Sequence, residues 1–103
     1  MASPAVQPST VVLPNRYPSA ATFQFAAKHA LEKDKPIFMD YWVASLEKTA
    51  TIGVRGEEKL LVKSAHEFTS PIGKMFKSEQ DLILETENSI YIVDGDIKAR
   101  RLK

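Results

Sequence analysis

The sequence has no cysteine among its 103 residues. This absence excludes disulfide bonds, thiolate metal sites, iron–sulfur clusters and a cysteine nucleophile. It also excludes a small secreted scaffold held together by disulfides, so a chain of this size must depend on one small apolar core. We therefore expect a single domain in a reducing compartment.

Glycine and histidine are also scarce. The four glycines lie at positions 53, 56, 73 and 95, too far apart to form a G-x-G-x-x-G or Walker loop around a phosphate. The two histidines, His29 and His66, have no partner at metal-ligand spacing, and no EF-hand pattern is present. We predict neither a bound metal nor a cofactor.

Motifs of catalysis are missing as well. The sequence has no G-x-S-x-G pattern, and its serines lie near expected turns. Paired carboxylates occur at Glu85 and Glu87 and at Asp94 and Asp96. Glycosidase chemistry needs two carboxylates that face each other across a cleft, so we interpret these as a solvated acidic rim. The sequence predicts no catalytic residue and no enzyme.

No apolar run approaches the ~18 residues that cross a bilayer, and the N-terminus lacks the pattern of a secretory signal. We expect a soluble, intracellular protein without membrane contact. The net charge of +1 is unevenly distributed: residues 97–103 hold four of the fourteen basic residues and no acid. The first 96 residues therefore carry ten bases against thirteen acids, a net charge of −3.

Residues 1–18 contain prolines at positions 4, 8, 14 and 18, which prevent a helix or sheet from propagating. We expect an extended arm here and one globular domain over 19–103. Val11, Val12 and Leu13 are three consecutive apolar residues in this arm. They are our candidate partner-binding residues, because apolar side chains favour contact with a domain or a neighbour.

One amphipathic helix is predicted after the arm. Ser19 is a suitable N-cap, and Pro36 disfavours helical backbone at Lys35, so the helix should end near Asp34. Its apolar stripe is expected to contain Phe23, Ala26 or Ala27, Ala30 and Leu31.

Short strands follow the helix. The β-branched and aromatic run 37–43 predicts a strand, and residues 49–63 predict a hairpin around Gly56. From Ile72 to Arg101 we expect four strands, with a bulge at Gly73 and a two-residue hairpin turn at Asp94-Gly95. The predicted class is α+β, with one N-terminal helix packed on a small antiparallel β-meander or SH3-like barrel of six to seven strands.

The basic end offers an alternative site. Lys98, Arg100, Arg101 and Lys103 could contact a phosphate backbone, with stacking groups from Tyr41, Trp42 and Tyr91. In the competing interpretation the cations prevent a terminal edge strand from pairing with another chain, and the large aromatic residues belong to the core. We favour this second interpretation.

Four segments in order, DKPIFMDYW, IGVRGEEKLLVK, TSPIGKMFK and TENSIYIV, resemble a group of small uncharacterised proteins encoded by large double-stranded DNA viruses of algae and amoebae. The resemblance covers about residues 27–101 and excludes the arm. It implies a viral origin, a role as a virion component or host-factor binder, and a location in the host cytoplasm or the virion. It assigns no site residue.

These observations predict a non-enzymatic interaction or structural module whose arm docks on a partner. Self-association through the arm or an exposed sheet edge is one form of such docking. The alternative is a small nucleic-acid-binding β-barrel that uses the basic C-terminal strand.

Overall fold

The computed structural model describes residues 16–102, which form an α+β domain with one main helix and two small sheets. The elements are α1 (Ala20–Lys33), β1 (Ile37–Phe38), α2 (Trp42–Leu46), β2 (Thr51–Arg55), β3 (Glu58–Ser64), β4 (Glu67–Phe68), β5 (Ile72–Ser78), β6 (Asp81–Thr86), β7 (Ile90–Asp94) and β8 (Ala99–Arg101). The predicted class is confirmed. No helix in this range is long and apolar enough to cross a membrane.

Helix α1 begins and ends where the sequence predicts. The Ser19 hydroxyl accepts a hydrogen bond from the Thr22 N–H at 3.1 Å, which satisfies a free donor of the first turn. At the other end Asp34 adopts the left-handed conformation, with φ of 56°. Pro36 lies two residues further on and prevents the helix from continuing through Lys35.

The strands form two mixed sheets instead of a single antiparallel meander. Sheet 1 has the order β1-β7-β6-β5, and sheet 2 has the order β4-β3-β2-β8. One edge strand in each sheet is parallel to its neighbour, β1 to β7 and β8 to β2, while the remaining pairs are antiparallel. The expected hairpin around Gly56 and the register shift beside Gly73 are confirmed.

Sheet 1 lies between α1 and sheet 2. Neighbouring residues of a strand point to opposite faces, and accordingly Ile83 and Leu84 of β6 belong to different core clusters. The cluster beneath α1 contains Ala26, Trp42, Ile83, Ile90 and Ile92. The cluster between the sheets contains Tyr41, Ala50, Leu61, Leu84 and Val93.

The predicted strand over 37–43 is wrong beyond its first two residues. The chain turns after β1, where the Trp42 N–H donates to the Met39 carbonyl at 3.0 Å, and α2 then begins. The Ser45 hydroxyl of α2 accepts a hydrogen bond from the Asp94 N–H at the end of β7. The aromatic and β-branched composition of this segment therefore reflects burial against β7, which overrides local strand propensity.

The predicted hairpin turn at Asp94-Gly95 is also wrong, because β7 and β8 belong to different sheets. Gly95 does not have a positive φ. Its N–H instead donates to the Gln80 carbonyl at 2.9 Å, and a Cβ at Gly95 would lie only 2.7 Å from that same oxygen. Glycine is needed here for close approach of two backbone segments.

Gly95→Ala should destabilise the domain by about 1–3 kcal/mol, because the added methyl group forces the backbone at Gln80 away. The matched control is Gly73→Ala, whose Cβ would make only an ordinary contact of 3.7 Å with the Glu85 carbonyl. Urea unfolding of the two variants measures the difference. Equal midpoints would contradict the proposed close approach.

Candidate functional site

A buried polar cluster fastens the start of the described chain to one end of sheet 1. The Arg16 guanidinium donates to the Asp81 carboxylate at 2.7 Å and to the Asp94 carboxylate at 2.5 Å. It also donates to the Gln80 carbonyl at 3.0 Å. Since Asp81 has no exposed surface, its charge depends entirely on these partners.

Asp81 has further donors on the helix side. The Ser19 N–H donates to its Oδ2 at 3.0 Å, and the Thr22 hydroxyl donates to the same oxygen at 2.6 Å. Burial alone would raise the pKa of Asp81, but the hydrogen bonds from Thr22, Ser19 and Arg16 outweigh it and lower the pKa below its ordinary value. Asp81 is therefore held as a carboxylate.

Trp42 of α2 also contacts Arg16. Its indole N–H donates to the Arg16 carbonyl at 2.9 Å, and the guanidinium lies 4.9 Å from the ring centroid. We call Arg16 with its contacts to Asp81, Asp94 and Trp42 the anchor. Pro18 is buried as well. The packed domain thus extends at least to Arg16, three residues ahead of the expected boundary. Val11, Val12 and Leu13 lie outside the described residues, but the chain that leads to them starts from this fixed point.

A second buried carboxylate lies between α1 and sheet 1. One Glu85 oxygen is hydrogen-bonded to His29 Nε2 at 2.7 Å. The other accepts a hydrogen bond from Lys35 Nζ at 2.5 Å. Burial alone would raise the pKa of Glu85, but the hydrogen bonds and charges of Lys35 and His29 prevail and lower it to about 2. Both oxygens are occupied, so this carboxylate is poorly placed to exchange a proton with a substrate.

The predicted acidic rim is therefore half wrong. Glu87 and Asp96 are exposed as expected, whereas Glu85 and Asp94 are buried in ion pairs. Within residues 16–102 no cluster of histidine and carboxylate side chains could hold a metal ion. His66 lies exposed in the tight turn between β3 and β4.

One signal for these clusters was present in the sequence. Asp81, Ile83 and Glu85 alternate along β6 and so share the face that α1 covers. Thr22 and His29 are seven residues apart in α1, two turns along the same helix face. Polar residues on two apolar surfaces that must pack together predict a buried polar contact.

The outer side of α1 carries an uncovered apolar stripe. Phe23 and Leu31 are 41% and 84% exposed, and Ala27 between them is exposed too. The predicted buried stripe is thus only partly right, because the helix buries Thr22 and Ala26 instead. The spacing i, i+4, i+8 places the three uncovered residues in one row, which we call the helix stripe.

A second apolar surface, the outer groove, lies on the face of sheet 2 that points away from sheet 1. It has a volume of about 240 Å³. Phe68 at its rim is 52% exposed, although Leu60 beneath it is only 2% exposed. The groove is lined by Arg55, Leu60, Val62, Ser64, Ala65, Phe68 and Leu102.

Gly53 lies against the side chains of Leu102 and Val62, two residues of the outer groove. It pairs with Leu60 of β3 on one side and with Arg100 of β8 on the other, so the three residues share the outward face. A Cβ at Gly53 would lie 2.6 Å from the Leu102 side chain. The absence of a side chain here lets Leu102 lie across the sheet.

The predicted nucleic-acid residues are dispersed. Lys98, Arg100 and Arg101 are exposed, and none forms an ion pair with another residue of the described range. Arg100 and Arg101 point to opposite faces of β8. Lys103 lies outside the described residues.

The three aromatic residues proposed for base stacking lie largely in the interior. Tyr41 and Trp42 are buried in the core, as the favoured interpretation predicts. Tyr91 is half-buried, and its ring packs against Phe38 and Tyr41. The faces of Tyr41 and Trp42 are therefore not presented to a base.

Comparison with models of known protein families, with curated proteins and with solved structures finds no match. The resemblance to proteins of large DNA viruses therefore stays a prediction.

Proposed function

We propose that the protein is a non-enzymatic interaction module whose N-terminal arm docks on a protein partner. The observation that carries the proposal is the anchor at Arg16, which fixes the point from which the arm leaves the domain. An arm that starts from a rigid point presents its apolar residues in a limited region of space, which reduces the ordering cost of binding.

The helix stripe extends the surface available to the same partner. Val11 to Leu13 lie three to five residues ahead of Arg16, so they are within about 18 Å of its Cα even when fully extended. Phe23 follows Ser19 by only one turn of α1. A partner that contacts the arm can therefore also cover exposed apolar side chains of the helix, and a large exposed apolar patch is typical of an interaction site.

What supports a non-enzymatic role is the state of the buried carboxylates. The oxygens of Asp81 and Glu85 are already occupied by donors from Arg16, Thr22, His29 and Lys35. These groups are therefore engaged in contacts that stabilise the fold. The viral resemblance would make the partner a virion or host protein.

The nucleic-acid alternative has less support. It keeps the exposed cations Lys98, Arg100 and Arg101, but two of its three stacking groups are buried. A single-stranded nucleic-acid site usually combines a basic groove with accessible aromatic rings. We therefore favour docking on protein.

Self-association tests the proposal directly. The full chain is expected to form dimers or larger species with rising concentration, whereas a chain that begins at Arg16 stays monomeric and keeps its unfolding midpoint, because the anchor is intact. Truncation after Pro18 would be a poor test, since it also removes the Arg16 ion pairs. Sedimentation velocity and urea unfolding measure the two properties.

Leu31→Glu in the full chain places a charge on the helix stripe at a residue that is largely exposed, and should weaken the same association without loss of fold. Glu32→Gln is the matched control on the polar side. If the full chain is monomeric at all concentrations and a photo-crosslinker at Leu13 captures no protein from a host extract, the proposal is wrong.

A further inference from the structure

We propose that the outer groove of sheet 2 binds a short extended protein segment with one bulky apolar side chain beside acidic residues. This site is separate from the arm and the helix stripe, and it goes beyond the function proposed above.

The apolar part of the site is Leu60, Val62, Phe68 and Leu102. Leu60 is only 2% exposed although it points away from sheet 1, and Phe68 and Leu102 line the groove beside it. The groove of about 240 Å³ is smaller than the ~300–1,000 Å³ typical of small-molecule sites. Its size fits a protruding side chain better than a cofactor.

Cationic residues lie beside the groove on the outward face of sheet 2. By alternation along β8 and β2, Lys98, Arg100 and Arg55 point to the outward face. Glu58 is the acidic residue opposite Arg55, and it already contacts Arg55 at 3.2 Å. Lys98 and Arg100 therefore remain for a ligand, and acidic residues in the ligand complement them.

The spacing of the two contacts favours an extended ligand. Phe68 on β4 and Arg100 on β8 are three strand spacings, or about 14 Å, apart. An extended segment of six residues spans about 20 Å and reaches both, whereas a helix of the same length spans about 9 Å.

Nucleic acid fits the surface less well. The surface between Phe68 and Arg100 is formed by Leu60, Val62 and Leu102. Apolar side chains offer no partner to phosphates or to the polar edges of bases.

The test titrates the full chain with three probes and follows backbone amide NMR shifts. The probes are the peptide Glu-Asp-Phe-Leu-Asp-Glu, the peptide Lys-Lys-Phe-Leu-Lys-Lys and oligothymidylate. The acidic peptide should shift amides of β2, β3 and β8 and bind at least about tenfold more tightly than the basic peptide, with affinity that falls as salt rises.

Two matched pairs of variants locate the site. Phe68→Ser should weaken binding of the acidic peptide about tenfold, whereas Phe38→Ser, at a comparably exposed aromatic on sheet 1, should not. Arg100→Gln should weaken binding and reduce its salt dependence more than Arg101→Gln, because Arg101 points to the other face of β8.

The proposal is overturned if the two peptides bind equally, if both members of either pair behave alike, or if only oligothymidylate binds. Repeating the titration with the chain that begins at Arg16 separates this site from the arm. Unchanged peptide binding there is expected, whatever the arm does in self-association.

Discussion

Arg16→Ala is expected to lower the free energy of unfolding by about 3–5 kcal/mol, a large share of the ~5–15 kcal/mol that stabilises a typical domain. The variant leaves the buried Asp81 carboxylate without its counter-ion and removes one of the two cations at Asp94. The cost is high because Asp81 has no exposed surface and loses the opposite charge that compensates its burial. Urea unfolding followed by circular dichroism measures it.

The control for charge alone is Arg55→Ala. Arg55 pairs with Glu58 on the surface, where both side chains are about half exposed, so the expected loss is at most about 1 kcal/mol. Arg16→Lys keeps the charge but loses the planar guanidinium that contacts two carboxylates. Its loss of unfolding free energy should lie between those of Arg16→Ala and Arg55→Ala. If Arg16→Ala costs no more than Arg55→Ala, then Arg16 does not anchor the arm.

The second large effect is acid destabilisation through Glu85. Its pKa lies at about 2 in the folded protein, below the ordinary value of 4.5. A lowered carboxyl pKa stabilises the fold above pH 4.5, and this stabilisation is lost as the pH falls from 4.5 towards 2. The difference corresponds to roughly 3 kcal/mol, and the lowered pKa of Asp81 acts in the same direction.

Glu85→Gln isolates this contribution. The variant should be less stable at pH 7, and its unfolding free energy should fall less between pH 5 and pH 3 than that of the unchanged protein. Glu87→Gln, at an exposed neighbouring carboxylate, should leave the pH profile almost unaltered. An identical acid slope in Glu85→Gln and the unchanged chain would show that Glu85 is not the responsible group.

Elements with local determinants could be predicted from the sequence. The bounds of α1 follow from Ser19 and Pro36, and the β2–β3 hairpin follows from Gly56 between two strand-like runs. The segment around Trp42 could not be assigned, because strand-forming composition also suits a short buried helix. The hairpin turn predicted at Asp94-Gly95 was wrong for a similar reason, since the same two residues suit either a hairpin turn or a close backbone contact.

The contacts of the polar clusters could not be predicted from local sequence. Arg16 and Asp81 are 65 residues apart in sequence, and His29 and Glu85 are 56 apart, so neither contact has a local pattern. The alternation of Asp81, Ile83 and Glu85 shows that the two acids share one face of β6, but it does not show which partners cover that face. The helix stripe shows the converse limit, because Phe23 and Leu31 follow helical spacing as well as Ala26 does, and packing alone decides which is buried.

The anchor at Arg16 also has a mechanical consequence. A polypeptide tail joined through Pro18 alone could swivel, and a protein held by it would keep much of its rotational freedom. Here a pull on the tail is transmitted to the end of sheet 1 through two ion pairs and the Trp42 indole. A partner bound by the arm, as proposed above, would therefore load the folded domain at Arg16 and not at the start of α1.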